Sequence, residues 1–120
     1  MQERNLTYEK AYSFSLRVVK AYQYLSSHHR EWVLSKQLLR SGTSIGANVA
    51  EANGSISTAD FSSKISIAYK ESLETKYWLS ILKDTNYISS ASYKSMWSDA
   101  DELSRILYSI LKKTRLNKDH

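Results

Sequence analysis

The chain has 120 residues with 42% apolar and 24% charged side chains, enough for one domain with its own core. It has no cysteine, which excludes a disulfide framework, a thiolate metal site and a cysteine nucleophile. It also has no proline and only three glycines, so nothing obstructs long helices.

The first residues, Met1-Gln2-Glu3-Arg4-Asn5, lead into an amphipathic pattern rather than an apolar signal core. No apolar run approaches the ~20 residues of a membrane span. A cytoplasmic bacterial protein with no membrane partner is expected. The Asn-x-Ser/Thr matches at Asn5 and Asn53 carry no meaning without a secretory signal.

Apolar spacing predicts four helices in chain order. The first runs over about 7–27, with Ala11, Phe14, Val18, Tyr22 and Leu25 on one stripe. The second spans about 31–53, with Leu34, Leu38, Ile45 and Val49 inward and Gly54 as its stop. Ser57, with Asp60 three residues on, caps a third helix over about 58–84. Its core series is heptad-like: Phe61, Ile65, Ala68, Ser72, Thr75, Leu79, Leu82. Thr85-Asn86 breaks it, and Ser89 caps a fourth helix over about 89–116. That helix carries Tyr93, Met96, Trp97, Ala100, Leu103, Leu107, Ile110 and Leu111. Short connections make neighbours antiparallel, so the expected fold is all-α: one up-down-up-down four-helix-bundle domain.

Two helices are apolar beyond a single face. Tyr8, Tyr12, Leu16 and Val19 form a second stripe on the first helix, and Tyr69, Leu73, Tyr77 and Ile81 flank the core stripe of the third. A monomeric bundle needs a stripe of only about 100° per helix. These eight residues are therefore the expected interface of a homo-oligomer. The competing reading leaves the tyrosines half exposed with wet hydroxyls.

Gly42, Gly46 and Ala50 are spaced four apart on the second helix and make a smooth groove for another helix. Two mid-helix glycines cost roughly 1 kcal/mol each relative to alanine, and close packing compensates. Lys36, Arg40 and Glu51 exclude a membrane dimerisation motif, and the missing Gly-Lys-Ser/Thr ending argues against a phosphate loop.

Leu38-Leu39-Arg40-Ser41-Gly42-Thr43-Ser44-Ile45-Gly46-Ala47-Asn48-Val49-Ala50-Glu51-Ala52, then Asp60-Phe61, then Ala68-Tyr69-Lys70-Glu71-Ser72-Leu73-Glu74-Thr75-Lys76-Tyr77-Trp78-Leu79, closely resembles a bacterial family. It is the four-helix-bundle family whose founders are encoded in intervening sequences of 23S ribosomal RNA genes. The accessory variability proteins of diversity-generating retroelements are similar. The resemblance covers nearly the whole chain and implies an antiparallel bundle assembled as a ring, with pentamers expected. It implies no catalysis and no cofactor. It also implies nucleic acid, or a protein such as a reverse transcriptase, as partner. Where the commonest family form has Ala-Glu-Gly, this chain reads Ala50-Glu51-Ala52-Asn53-Gly54, which lengthens the second helix.

Glu71 and Glu74 share one flank of the third helix. Paired carboxylates suggest acid–base work or a metal, but the Glu-x-x-His pairs of di-iron bundles are missing. A structural polar network with Arg40, and with Lys36 or a neighbouring subunit as alternatives, fits better. Glu51 lies eleven residues from Arg40, ~16 Å along a helix, so each needs a partner elsewhere. Arg115 and His120 match a ribonuclease Arg-x4-His spacing as a chance pattern. No catalytic or metal residue is expected.

The charge is uneven. Residues 1–102 carry twelve Lys/Arg against eleven Asp/Glu, and the last eighteen carry Arg105, Lys112, Lys113, Arg115 and Lys118 against Asp119. Such an end either complements the helix dipole and aids solubility or forms a patch for phosphate backbones. Lys10, Arg17 and Lys20 on the first helix, with Lys94, Arg105 and Lys112 along the fourth, extend the second reading. A five-fold ring would multiply either stripe. The expected function is a non-enzymatic oligomeric bundle that binds structured RNA or DNA through backbone charge. The alternative is a protein-interaction scaffold with no nucleic-acid role.

Overall fold

A computed structural model describes the backbone of residues 2–118 and the side chains of residues 6–114. Four helices follow one another: α1 (Gln2–His28), α2 (Val33–Asn53), α3 (Thr58–Asp84) and α4 (Ser90–Lys118). No strand occurs among the described residues. Each helix packs on the next along the chain, α1 approaches α4 more sparingly, and among the described residues no Cα atoms of the diagonal pairs come within 8 Å. The result is the antiparallel up-down-up-down bundle, about 51 Å long.

The core gathers the predicted stripes. Ala11, Phe14, Val18 and Leu25 of α1 meet Leu38, Ile45 and Val49 of α2. All seven positions of the α3 series are buried, as are Met96, Ala100, Leu103, Leu107, Ile110 and Leu111 of α4. Ser72 and Thr75 are tolerated in that core because their hydroxyls are satisfied. The Thr75 hydroxyl donates to the Glu71 carbonyl at 2.8 Å and lies 3.1 Å from Ser41 Oγ of α2. Ser72 Oγ lies 2.7 Å from Ser104 Oγ of α4. Small hydroxyl side chains thus let α3 approach both its neighbours.

The α2 groove is occupied by α1. A Cβ on Gly42 would lie 2.7 Å from Val18 Cγ2, and one on Gly46 would lie 3.2 Å from Ser15 Oγ and 3.5 Å from the Ala11 backbone. The third member of the series, Ala50, is exposed.

The turns depart in detail from the sequence pattern. The second helix starts at Val33 rather than Glu31, because Glu31 acts as its acidic cap from outside. The Glu31 carboxylate accepts from the backbone N–H of Val33, Leu34 and Ser35 at 3.1, 3.1 and 2.8 Å. Burial raises its pKa, but those N–H groups and the Ser35 hydroxyl outweigh it and hold the carboxyl below its ordinary value. Before it, α1 closes with the Glu31 N–H donating to the Leu25 carbonyl at 3.1 Å, while Arg30 adopts a left-handed φ of 51°. Asn86, at φ 68°, plays the same part after α3. Gly54 ends α2 with φ −99°, so its conformation is one any residue adopts. Ser57 and Ser89 cap α3 and α4 by accepting from the N–H of Asp60 and Ser92 at 3.0 and 3.1 Å.

Candidate interaction surfaces

The side chains singled out by sequence fall on three surfaces. Along the α2–α3 seam, Arg40 donates to Glu71 Oε2 at 3.0 Å and also to Glu74. Glu74 accepts in addition from Trp78 Nε1 at 2.8 Å. Both carboxylates are therefore spoken for by a cation from the neighbouring helix. Glu51 meets Lys64 of α3 at 3.3 Å, farther along the same seam. Ion pairs thus bridge α2 and α3 at two heights. Among the described residues, no group of three His, Asp or Glu side chains could hold a metal ion. Among them, too, no helix is long and apolar enough to cross a membrane.

The second set is apolar and exposed. Tyr12 is 53% exposed, Leu16 50%, Leu73 42% and Tyr77 57%. Tyr8 stacks on Tyr12 with centroids 6.0 Å apart, and Val19, Tyr69 and Ile81 are half-buried. On α1, Ala11, Ser15 and Val18 face α2, whereas Lys10 and Arg17 face α4. At 100° per residue the Tyr8–Val19 stripe continues round past the α2 side, onto the outer α1–α2 face. On α3, Thr75 and Glu71 face α2, and Ser72 and Lys76 face α4. Leu73 and Tyr77 point away from both, and Tyr69 turns toward α4, its ring 5.7 Å from Tyr108. Because α1 and α3 occupy diagonal corners, the two stripes leave the bundle on opposite sides.

The third set is basic, and here the expected stripes are largely neutralised. Lys10 pairs with Glu102 at 3.2 Å, and Arg17 pairs with Asp99 and donates to Ser95 Oγ at 2.9 Å. Arg105 pairs with Asp101 one turn back at 3.2 Å. These three therefore do not present free charge. The cause is the acidic group Asp99, Asp101 and Glu102, which α4 sets against the cations of α1 and its own next turn. Lys20, Lys94 and Lys112 are exposed with no ion pair among the described residues, and Lys113 is exposed. The side chains of Arg115 and Lys118 lie outside the described residues, as does His120.

One cluster escaped the sequence pattern. Tyr24 stacks on His28 with centroids 4.7 Å apart, His29 lies edge-on to Tyr24 at 5.3 Å, and Tyr87 lies edge-on to His29 at 5.7 Å. The α1–α2 and α3–α4 turns meet at this end, bringing together rings almost sixty residues apart. The only signal was two adjacent histidines in one turn and a tyrosine in another, which becomes informative once the bundle is antiparallel.

The comparisons with known proteins agree with this architecture. A family model described as 23S rRNA-intervening sequence protein matches residues 3–109. Among solved structures, the chain is similar to a protein of unknown function from the S23 ribosomal protein family of Bacteroides thetaiotaomicron. The two share 45% identity over 92% of this chain and 98% of that one, with a TM-score of 0.90. No curated protein matches the sequence.

Proposed function

The chain belongs to the 23S rRNA-intervening sequence protein family, and on that premise we propose that it is a non-enzymatic bundle subunit that assembles with its own copies into a ring. The observation that carries this reading is the pair of exposed apolar stripes on opposite sides of the bundle. Each large side chain left in water forgoes ~1.5–3 kcal/mol of burial, so a second buried surface is favoured. Two different patches on opposed faces suit a heterologous, head-to-tail contact, which closes into a ring when the rotation allows. Five subunits is the count the family resemblance leads us to expect. Light scattering tests it: a multiple of the 13.8 kDa chain mass supports assembly. A clean monomer at micromolar concentration refutes it.

A second reading is favoured by Lys20, Lys94 and Lys112, which are exposed with no ion pair among the described residues. The assembled ring would bind RNA or DNA through backbone charge, as an accessory to an RNA or reverse-transcriptase complex. Such binding weakens steeply with salt, because counterions are released as phosphates are neutralised. Replacement of Lys112, Lys113 and Arg115 by glutamine should lower both the affinity and the salt slope. A protein partner recovered by pull-down after nuclease treatment would instead favour a pure scaffold.

A further inference from the structure

Among the described residues, cations without an ion pair are not confined to the last helix. Along the body of the bundle Lys64 and Lys76 are ion-paired, as are Lys10, Arg17, Arg40 and Arg105, while Lys70 and Lys112 are exposed with no ion pair among the described residues. The turn end of the bundle is different. Residues 20–36 and 83–94 hold Lys20, Arg30, Lys36, Lys83 and Lys94 against only Glu31 and Asp84. The Glu31 carboxylate is already engaged by the N-terminus of α2. Asp84 lies 3.8 Å from Lys83 and offsets its charge. Lys20, Arg30, Lys36 and Lys94 have no ion pair among the described residues.

The same end carries the aromatic cluster. Tyr24, His28 and His29 are exposed and Tyr87 is half-buried, so ring surface is open to water beside the cations. Lys83, Asp84, His29, Tyr24 and Tyr87 line one cleft, and Lys20, Tyr24, Tyr87 and Ser89 line the adjoining one. Flat rings flanked by cations provide two kinds of attraction at once. Phosphates find positive charge, and unpaired bases find π-faces on which to stack.

We propose that this turn end is a binding site for single-stranded nucleic acid, with Tyr24, His28, His29 and Tyr87 stacking on bases and Lys20 and Arg30 holding the phosphates. The proposal rests on the nucleic-acid reading above and narrows it to unpaired strands. A duplex keeps its bases stacked inside and would meet only the cations. An acidic peptide would also use the cations but leave the rings idle. Stacking tolerates any base, so the site is indifferent to sequence.

The test compares two probes on the unmutated protein: a twelve-residue oligothymidylate and an abasic deoxyribose-phosphate chain with the same number of phosphates. Fluorescence anisotropy should show the abasic chain binding about tenfold more weakly, within the roughly 5- to 150-fold that one stacked base contributes. Tyr24→Ser combined with His29→Ala should shrink that difference and leave the salt slope unchanged. Both side chains are exposed, and a thermal melt shows whether the variant stays folded. NMR gives a check that needs no variant: the ring signals of Tyr24, His28, His29 and Tyr87 should move as oligothymidylate is added. Equal affinity for the two chains, or binding with those signals unmoved, overturns the stacking site and leaves the backbone-charge reading standing. Polyglutamate competing as well as oligothymidylate overturns it in favour of an acidic-peptide surface. Absence of binding to either chain at low salt ends both the nucleic-acid reading and this site.

Discussion

Val18 of α1 occupies the space that a side chain on Gly42 of α2 would need: an added Cβ would sit 2.7 Å and 2.8 Å from its two methyl groups. Gly42→Ala therefore sets two effects against each other. The helix gains about 1 kcal/mol of intrinsic propensity, whereas overpacking a buried contact costs about 1–3 kcal/mol. We expect net destabilisation, measured as a lower midpoint in urea. Combining it with Val18→Ala should cost less than the sum of the two single changes, because the clash is gone. Gly46→Ala should be milder, since its nearest obstacle is the Ser15 hydroxyl, which can rotate.

Arg40 bridges Glu71 and Glu74, and a guanidinium can serve two carboxylates where an ammonium serves one well. Arg40→Leu should lower stability by about 1 kcal/mol, because Glu71 is mostly buried and loses its cation. Arg40→Lys should recover only part of that loss in chemical denaturation. Full recovery would show that the fork geometry is immaterial.

Glu31 gives a pH signature. Its carboxyl titrates below its ordinary value in the folded chain, so the unfolded chain binds the proton more readily. The stabilisation is complete above the unfolded pKa and is lost as pH falls through the folded one. The unmutated protein should be more stable than Glu31→Gln near neutral pH, and the gap should close in acid. Thermal melts of both proteins from neutral pH down through the carboxylate range would measure it.

Arg30 holds a left-handed φ of 51° that costs a side-chain-bearing residue roughly 1 kcal/mol. Arg30→Gly should raise the melting temperature by a few degrees. Asn86 tolerates the same conformation better than most residues, and Asn86→Gly should be nearly neutral.

Charging either apolar stripe tests assembly. Leu16→Glu on α1 and Tyr77→Glu on α3 both fall on exposed positions, so each should leave the fold intact. In a head-to-tail ring either one alone blocks growth, and light scattering should report smaller species. Mixing the two variants should restore a single contact per pair, because each keeps one intact patch. A variant that assembles unchanged would remove its stripe from the interface.

The bundle was legible in the sequence because burial has the helical period. The α3 series could be followed through Ser72 and Thr75 because position, rather than polarity, marked them as inward. The helix caps at Ser57 and Ser89 were legible for a similar reason, being local chemistry. Registers between helices were not. Whether Lys10 and Arg17 are free depends on Glu102 and Asp99, about ninety and eighty residues away respectively, standing at the same height. A helical wheel places each residue on a face but does not say what stands opposite. The Tyr24–His28–His29–Tyr87 cluster stayed hidden likewise, being assembled from two turns.

The two seams that hold α1 differ in kind. Against α2 it is seated by close apolar contact over Gly42 and Gly46, which salt does not weaken. Against α4 it is fastened by Lys10–Glu102 and Arg17–Asp99, whose side chains remain 37–49% exposed and therefore screenable. Rising ionic strength should weaken that clasp first, while the apolar core that α1 shares with α4 keeps the helix in place. Amide exchange along α1 would quicken before the rest of the bundle responds. Since α1 also carries one of the two exposed apolar stripes, the salt content of the surroundings would adjust how firmly that stripe is presented.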